Sequence, residues 1–214
     1  KDKTLLATSW SFFAFGAILF FGVTWIPGYF KQAWKLDLTK IGWFTTMPWA
    51  LSIVGMVLVG ILSDHLFRRS GNVRKARIHP IWILQLLSAC SFIPLIFLNP
   101  EGGEHSIGWA IVFLTLAIGL SMAANGPYYS ICTDLFPHSA GAATGIMVTF
   151  FSASGVVVPY LVGWLTDEFG GSFASAFVML AAIVGSGALG MVLFARPEQG
   201  SPHAPRENSS SRGA

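Results

Sequence analysis

Gly60-Ile61-Leu62-Ser63-Asp64-His65-Leu66-Phe67-Arg68-Arg69-Ser70-Gly71-Asn72-Val73-Arg74-Lys75-Ala76-Arg77 joins two long apolar runs and holds five of the chain's thirteen cations. Upstream, residues 41–63 contain no Lys, Arg, Asp or Glu, and downstream neither do residues 78–100. A helix needs about 20 mostly apolar residues to cross the hydrocarbon core, so each run is long enough to span a bilayer. The basic segment then reads as a connection on one side of it. The same test finds four further charge-free runs, at 4–30, 105–133, 135–166 and 169–195. Lipid leaves only helices or closed barrels for the backbone, and barrel strands would show short alternating segments that are missing here. The expected fold class is an all-α membrane protein, a six-transmembrane-helix bundle with spans near 5–30, 41–64, 78–99, 107–132, 139–166 and 172–195.

Composition points the same way. Hydrophobic residues make up 53% of the 214 residues and charged residues 11%, with a mean hydropathy of +0.62. A soluble domain carries about 25% charged residues, so this chain has too little charge to clothe a water-facing surface. The formal charge of +3 and pI near 9.0 do not indicate nucleic acid, because the cations concentrate in one connecting loop, where they report membrane orientation. Cys90 and Cys132 lie inside apolar runs and read as buried small residues rather than a disulfide or a metal site. No serine elbow, metal-spaced histidine pair or glycine-rich phosphate loop occurs, so no cofactor, metal or enzymatic activity is expected.

Orientation follows from the cations. With the N-terminus inside, the inner side holds Lys1, Lys3, the five cations of 68–77, Arg196, Arg206 and Arg212, against Lys31, Lys35 and Lys40 outside. Both termini are therefore expected in the cytoplasm. Trp25, Trp34, Trp43, Trp109 and Trp164 fall near predicted outer ends, as an interfacial belt requires. Pro27, Pro48, Pro94, Pro127 and Pro159 permit kinks, and glycine pairs such as Gly141/Gly145 and Gly155/Gly163 offer smooth faces for helix packing. Residues 196–214, polar and rich in Pro, Ser and Arg, are expected to form a disordered cytoplasmic tail. The first apolar run is too long for a signal-peptide core of about 7–15 residues, and a start at Lys1 instead of Met suggests a fragment or processed product.

The Gly60–Arg77 segment resembles the signature of the major facilitator superfamily between its second and third helices, repeated between its eighth and ninth. The paired arginines followed by a second basic cluster look most like the anion:cation symporter family. Thr24-Trp25-Ile26-Pro27-Gly28-Tyr29-Phe30 is similar to the end of that family's seventh helix. Thr133-Asp134-Leu135-Phe136-Pro137, followed by Gly141 and Gly145, resembles its loop between helices ten and eleven, and Val158-Pro159-Tyr160-Leu161-Val162-Gly163 its helix eleven. The likeness covers residues 5–195 and aligns as helices seven to twelve, half of the superfamily fold. It departs at Ala140, where the family usually has an arginine, which weakens any charge relay from Asp64 through that position to Asp134.

The residues give the signature a role. Asp64, read at the end of the second span, opposes the local helix dipole and calls for a positive partner. Arg68, one turn on and followed by Arg69, is the simple candidate. The resemblance implies a second, the N-terminus of the fifth span near Ala140 and Gly141, in a contact that would latch the cytoplasmic side. Gly60 would let those two helices approach. On the fourth span Ser121, Asn125, Tyr128 and Cys132 recur at helical steps and share one stripe, and Asn125-Gly126-Pro127 can interrupt the helix beside a polar cavity. That stripe serves either a substrate path or hydrogen bonding between helices. Thr24 and Tyr29 are weaker path candidates, Tyr29 being equally an interfacial anchor, and Trp49 either lines the cavity or, the preferred reading, faces lipid.

What the resemblance implies is the second half of a secondary active transporter. It would move a small solute, an organic anion coupled to a proton or other cation, by alternating access. Its partners would be the substrate, the lipid bilayer and the N-terminal six-helix half of the same transporter, in a bacterial inner membrane. Two alternatives stay open: a non-transporting membrane scaffold or sensor, and a six-helix unit working as a homodimer.

Overall fold

The computed structural model describes residues 2–98 and 103–195; the tail expected at 196–214 lies outside them. Helix α1 (Asp2–Gln32) is followed by α2 (Leu38–Ser70), then by a π-helical turn (Arg74–Ile78) that runs into α3 (His79–Phe97). The fourth span is two helices, α4 (Gly103–Ala123) and α5 (Asn125–Leu135), and α6 (Ala140–Glu168) and α7 (Ala174–Phe194) complete the bundle. These make six helical segments long and apolar enough to cross a membrane. The Arg68–Arg77 connection marks one end of the bundle, called the basic end below.

Local chemistry sets the ends of α2. Asp37 caps its start, its carboxylate accepting from the Lys40 N–H at 2.9 Å. At the far end Gly71 takes a positive φ of 59° and its N–H reaches the Phe67 carbonyl at 2.8 Å, the αL termination that glycine tolerates best. Much of the signature is therefore helix, and Asp64 stands well inside α2 rather than at its end. The dipole argument loses force there, because the effect falls off within the last turn. Asn72 then caps the π turn, its side-chain oxygen accepting from the N–H groups of Arg74 at 2.9 Å and Lys75 at 3.2 Å.

The break in the fourth span falls where Asn-Gly-Pro predicts it. Ala124 forms a turn, with its N–H on the Ser121 carbonyl at 3.2 Å. Pro127, in the first turn of α5, has no N–H to donate back to α4.

The helices form an arc. Its order of closest packing is α2, α4, α3, α7, α1 and α6, with α5 touching both ends, α2 and α6. Helix α1 is the most enclosed: Ala14, Ala17, Ile18 and Phe21 are fully buried. Glycines let it approach its neighbours. Ring atoms of Phe20 lie 2.7 Å from where a Cβ on Gly155 would stand, and those of Trp25 lie 3.2 Å from the same point on Gly163. Trp25, expected in an interfacial belt, instead points into the α1–α6 seam and donates to the Pro159 carbonyl at 3.2 Å. Trp43, Trp109 and Trp164 are exposed, and Trp49, read as lipid-facing, is half-buried against Gly22. Both cysteines are free; Cys132 is buried, but Cys90 is exposed on the outside of α3.

Candidate functional site

At the basic end one guanidinium gathers three elements. Arg77 Nη1 donates to Asp64 Oδ1 at 2.6 Å and to Ser63 Oγ at 2.8 Å, and Arg77 Nε donates to Asp134 Oδ2 at 3.0 Å. Ser63 passes its own proton to the Ala76 carbonyl at 2.7 Å, and the guanidinium carbon lies 5.0 Å from the centre of the Phe67 ring. The Arg77 side chain is 7% exposed, Asp134 19% and Asp64 60%. Burying a guanidinium is costly unless partners of this kind surround it. The partner of Asp64 is thus Arg77, not Arg68, which with Arg69 is exposed and forms no ion pair among the described residues. Sequence counting treated the five cations of this segment alike. Which of them turns inward depends on the π turn, and no residue pattern announced that.

The second expected contact of the signature is open. A Cβ on Gly60, Gly141 or Gly145 would meet nothing within 4 Å. These glycines lie on α2 and α6, at the two ends of the arc.

The stripe read on the fourth span turns toward the interior of the bundle. Ser121, Tyr128 and Cys132 are fully buried and Asn125 is half-buried, its amide nitrogen 4.0 Å from Met56 Sδ. Tyr128 belongs to a closed hydrogen-bond ring: its hydroxyl lies 2.7 Å from Ser11 Oγ and 3.1 Å from the Ser11 carbonyl, and accepts from Gln85 Nε2 at 2.7 Å. Gln85 Nε2 also donates to the Ser11 carbonyl at 2.8 Å, and Ser11 Oγ donates to Gln85 Oε1 at 2.8 Å. The ring ties α1, α3 and α5 together, and Gly187 of α7 closes over it, leaving a Cβ there only 3.2 Å from Gln85 Oε1. Gln85 was not singled out in the sequence, although an amide in the middle of a charge-free span was the available signal.

The exposed side of α5 carries Gly126, Tyr129 and Thr133, one residue round from the buried stripe. Helix α5 itself touches both α2 and α6. The Tyr129 ring is held edge-on by Phe12 at 5.7 Å. On α1, Thr24 is exposed, its hydroxyl donating to the Phe20 carbonyl at 2.6 Å. Tyr29 is buried instead, packed edge-on against Phe173 and Phe177 at 5.2 and 5.3 Å.

Long apolar helices, with charged side chains kept to their ends and connections, define a polytopic α-helical integral membrane protein. The sequence pattern of the Major Facilitator Superfamily matches residues 11–213. The chain is 26% identical over 203 residues to the hexuronate transporter of Bacillus subtilis (strain 168), an alignment covering 94% of this chain and 47% of that protein. It is 32% identical over 185 residues to the probable sulfoacetate transporter of Cupriavidus necator, covering 86% and 41%. It is 30% identical over 185 residues to the D-galactonate transporter of Escherichia coli O6:H1, covering 85% and 40%. The chain belongs to the major facilitator superfamily and has the architecture of half its fold. It spans less than half the length of each of these relatives.

Proposed function

We propose that this chain is the C-terminal six-helix half of a secondary active transporter that moves a small organic anion, coupled to a proton or other cation, by alternating access, with no enzymatic step. The observation that carries the reading is the open mouth of the arc. Helices α2 and α6 leave faces with Gly60, Gly141 and Gly145 uncovered, and α5, which touches both helices, carries the exposed Gly126, Tyr129 and Thr133. A second six-helix half would dock on those faces and close a cavity near the bilayer midplane, the geometry of carriers built from repeats. The names of the three relatives, each for a transporter of an organic acid, support the anion class.

The basic end then faces the cytoplasm of a bacterial inner membrane, with both termini on that side. Thr24, Asn125 and the exposed Tyr129 of α5 would border the solute path. Ser121, Tyr128 and Tyr29 would shape it from behind. Gly60, Asp64, Arg68 and Arg69 would form the latch, with Arg77 as the ion that holds Asp64 until the docked half competes for it.

The test is uptake of labelled D-galactonate, a hexuronate and sulfoacetate into vesicles under an imposed pH gradient. One set would carry this chain alone and another would carry it joined to the six spans of a first half. Uptake only by the joined protein is the expected result. Robust uptake by the chain alone would remove the half-carrier reading, and no uptake of any of the three acids by the joined protein would remove the anion reading.

A further inference from the structure

The lipid-facing side of α3 carries features that the transport reading does not use. Its outer face is a continuous apolar strip, with Ile83 41%, Leu86 42% and Leu87 49% exposed at successive helical steps. Unlike the open faces of α2 and α6, this stretch has no glycine, so it offers nothing to a helix seeking close approach. At its basic end the strip is headed by Arg74, Lys75 and His79. The π turn is closed by the His79 N–H on the Arg74 carbonyl, which puts these residues on consecutive turns. Such turns are rare and often mark functional sites. Among the described residues neither Arg74 nor Lys75 has an acidic side chain within 4 Å, because both carboxylates of the cluster are taken by Arg77. Arg74 Nε is buried with no hydrogen-bond partner, and a buried guanidinium N–H without an acceptor is costly. Trp82 lies edge-on to His79 at 6.1 Å, an amphipathic ring at the level where headgroup meets acyl chain.

We infer that this corner is a binding site for an anionic glycerophospholipid. The phosphodiester is held by Arg74, Lys75 and His79, and one acyl chain lies along Ile83, Leu86 and Leu87. The phosphate oxygens pair with the guanidinium of half-buried Arg74 and the ammonium of exposed Lys75, and the negative charge answers two cations that have no acidic partner among the described residues. The site commits to a lipid rather than to free phosphate because the apolar strip continues directly from the cationic head.

The test is native mass spectrometry of the delipidated, purified protein titrated with phosphatidylglycerol, with phosphatidylcholine of the same chains, and with inorganic phosphate as competitor. Each cation at an anionic headgroup contributes about fivefold in affinity. Phosphatidylglycerol should therefore be retained selectively, and Arg74→Gln/Lys75→Gln should weaken it by about tenfold or more. Lys75→Gln alone, at an exposed side chain, should weaken it about fivefold without risk to the fold. Substituting Lys31 and Lys35 at the opposite end should change nothing. Equal retention of the two lipids, unchanged retention in the Lys75 variant, or displacement of phosphatidylglycerol by phosphate at equal concentration would each overturn the assignment.

Discussion

Gln85 donates to the hydroxyl of Tyr128 at 2.7 Å in the buried centre of the bundle, joining α3 to the half-helix α5. With Ser11 the donors and acceptors balance. The Tyr128 proton goes to Ser11 Oγ, the Ser11 proton to Gln85 Oε1, and the two amide protons of Gln85 to Tyr128 and the Ser11 carbonyl. Every donor has its own acceptor, which is what a polar group needs when lipid and packed side chains exclude water.

Tyr128→Phe strands one N–H of Gln85, whereas Gln85→Leu removes the amide and leaves Ser11 and Tyr128 bonded to each other. The first should cost about 1 kcal/mol and the second less, in line with hydrogen bonds between membrane helices. Thermal unfolding of the two variants in detergent measures the order; a larger loss for Gln85→Leu would show that the amide, not the phenol, organises the ring.

Arg77 serves two carboxylates on two helices through different nitrogens, a geometry that a lysine cannot copy. Arg77→Gln and Arg77→Lys should both lower stability, the former by about 3 kcal/mol as a buried charge partner is lost. Arg68→Gln, at an exposed side chain, should stay within about 0.5 kcal/mol. Equal effects at Arg68 and Arg77 in a melting assay would return the latch to Arg68.

Asp64 is 60% exposed, and an ion pair of that kind contributes at most about 1 kcal/mol. Asp64→Asn should therefore insert and fold normally while transport by the joined protein falls. Unchanged uptake kinetics would make Asp64 a salt-bridge partner of Arg77 on α2 and nothing more.

Two glycines on one helix separate internal packing from docking. Gly145 faces open space, whereas a side chain on Gly155 would run into Phe20. Gly155→Leu should lower the melting temperature of the chain on its own. Gly145→Leu should leave that unchanged and impair uptake by the joined protein. A melting loss for Gly145→Leu comparable to that of Gly155→Leu would mean that the α6 face is already covered within this half.

Much of the fold was legible because lipid is a strict solvent. A charge-free run of this length has no alternative to a spanning helix, so all six spans followed from charge alone, and Asn125-Gly126-Pro127 marked the break because proline removes a donor that α4 and α5 would need to share. The end of α2 was read short because Arg68 and Arg69 end the apolar run, while the backbone continues to Gly71, the first residue able to take the αL turn. Side-chain direction was less legible. Helical spacing puts Ser121, Asn125, Tyr128 and Cys132 on one stripe but carries no information on whether that stripe faces neighbours or a cavity. The inward turn of Arg77 and its capture of Asp134, distant in sequence, depend on tertiary packing that no local pattern encodes.

The uncovered faces of α2 and α6 have a consequence for how firmly anything adheres to them. In water such surfaces would drive irreversible association, but hydrocarbon solvates them as well as another helix does, so covering them gains only fit and dispersion. A surface that meets these faces can therefore part from them at little cost.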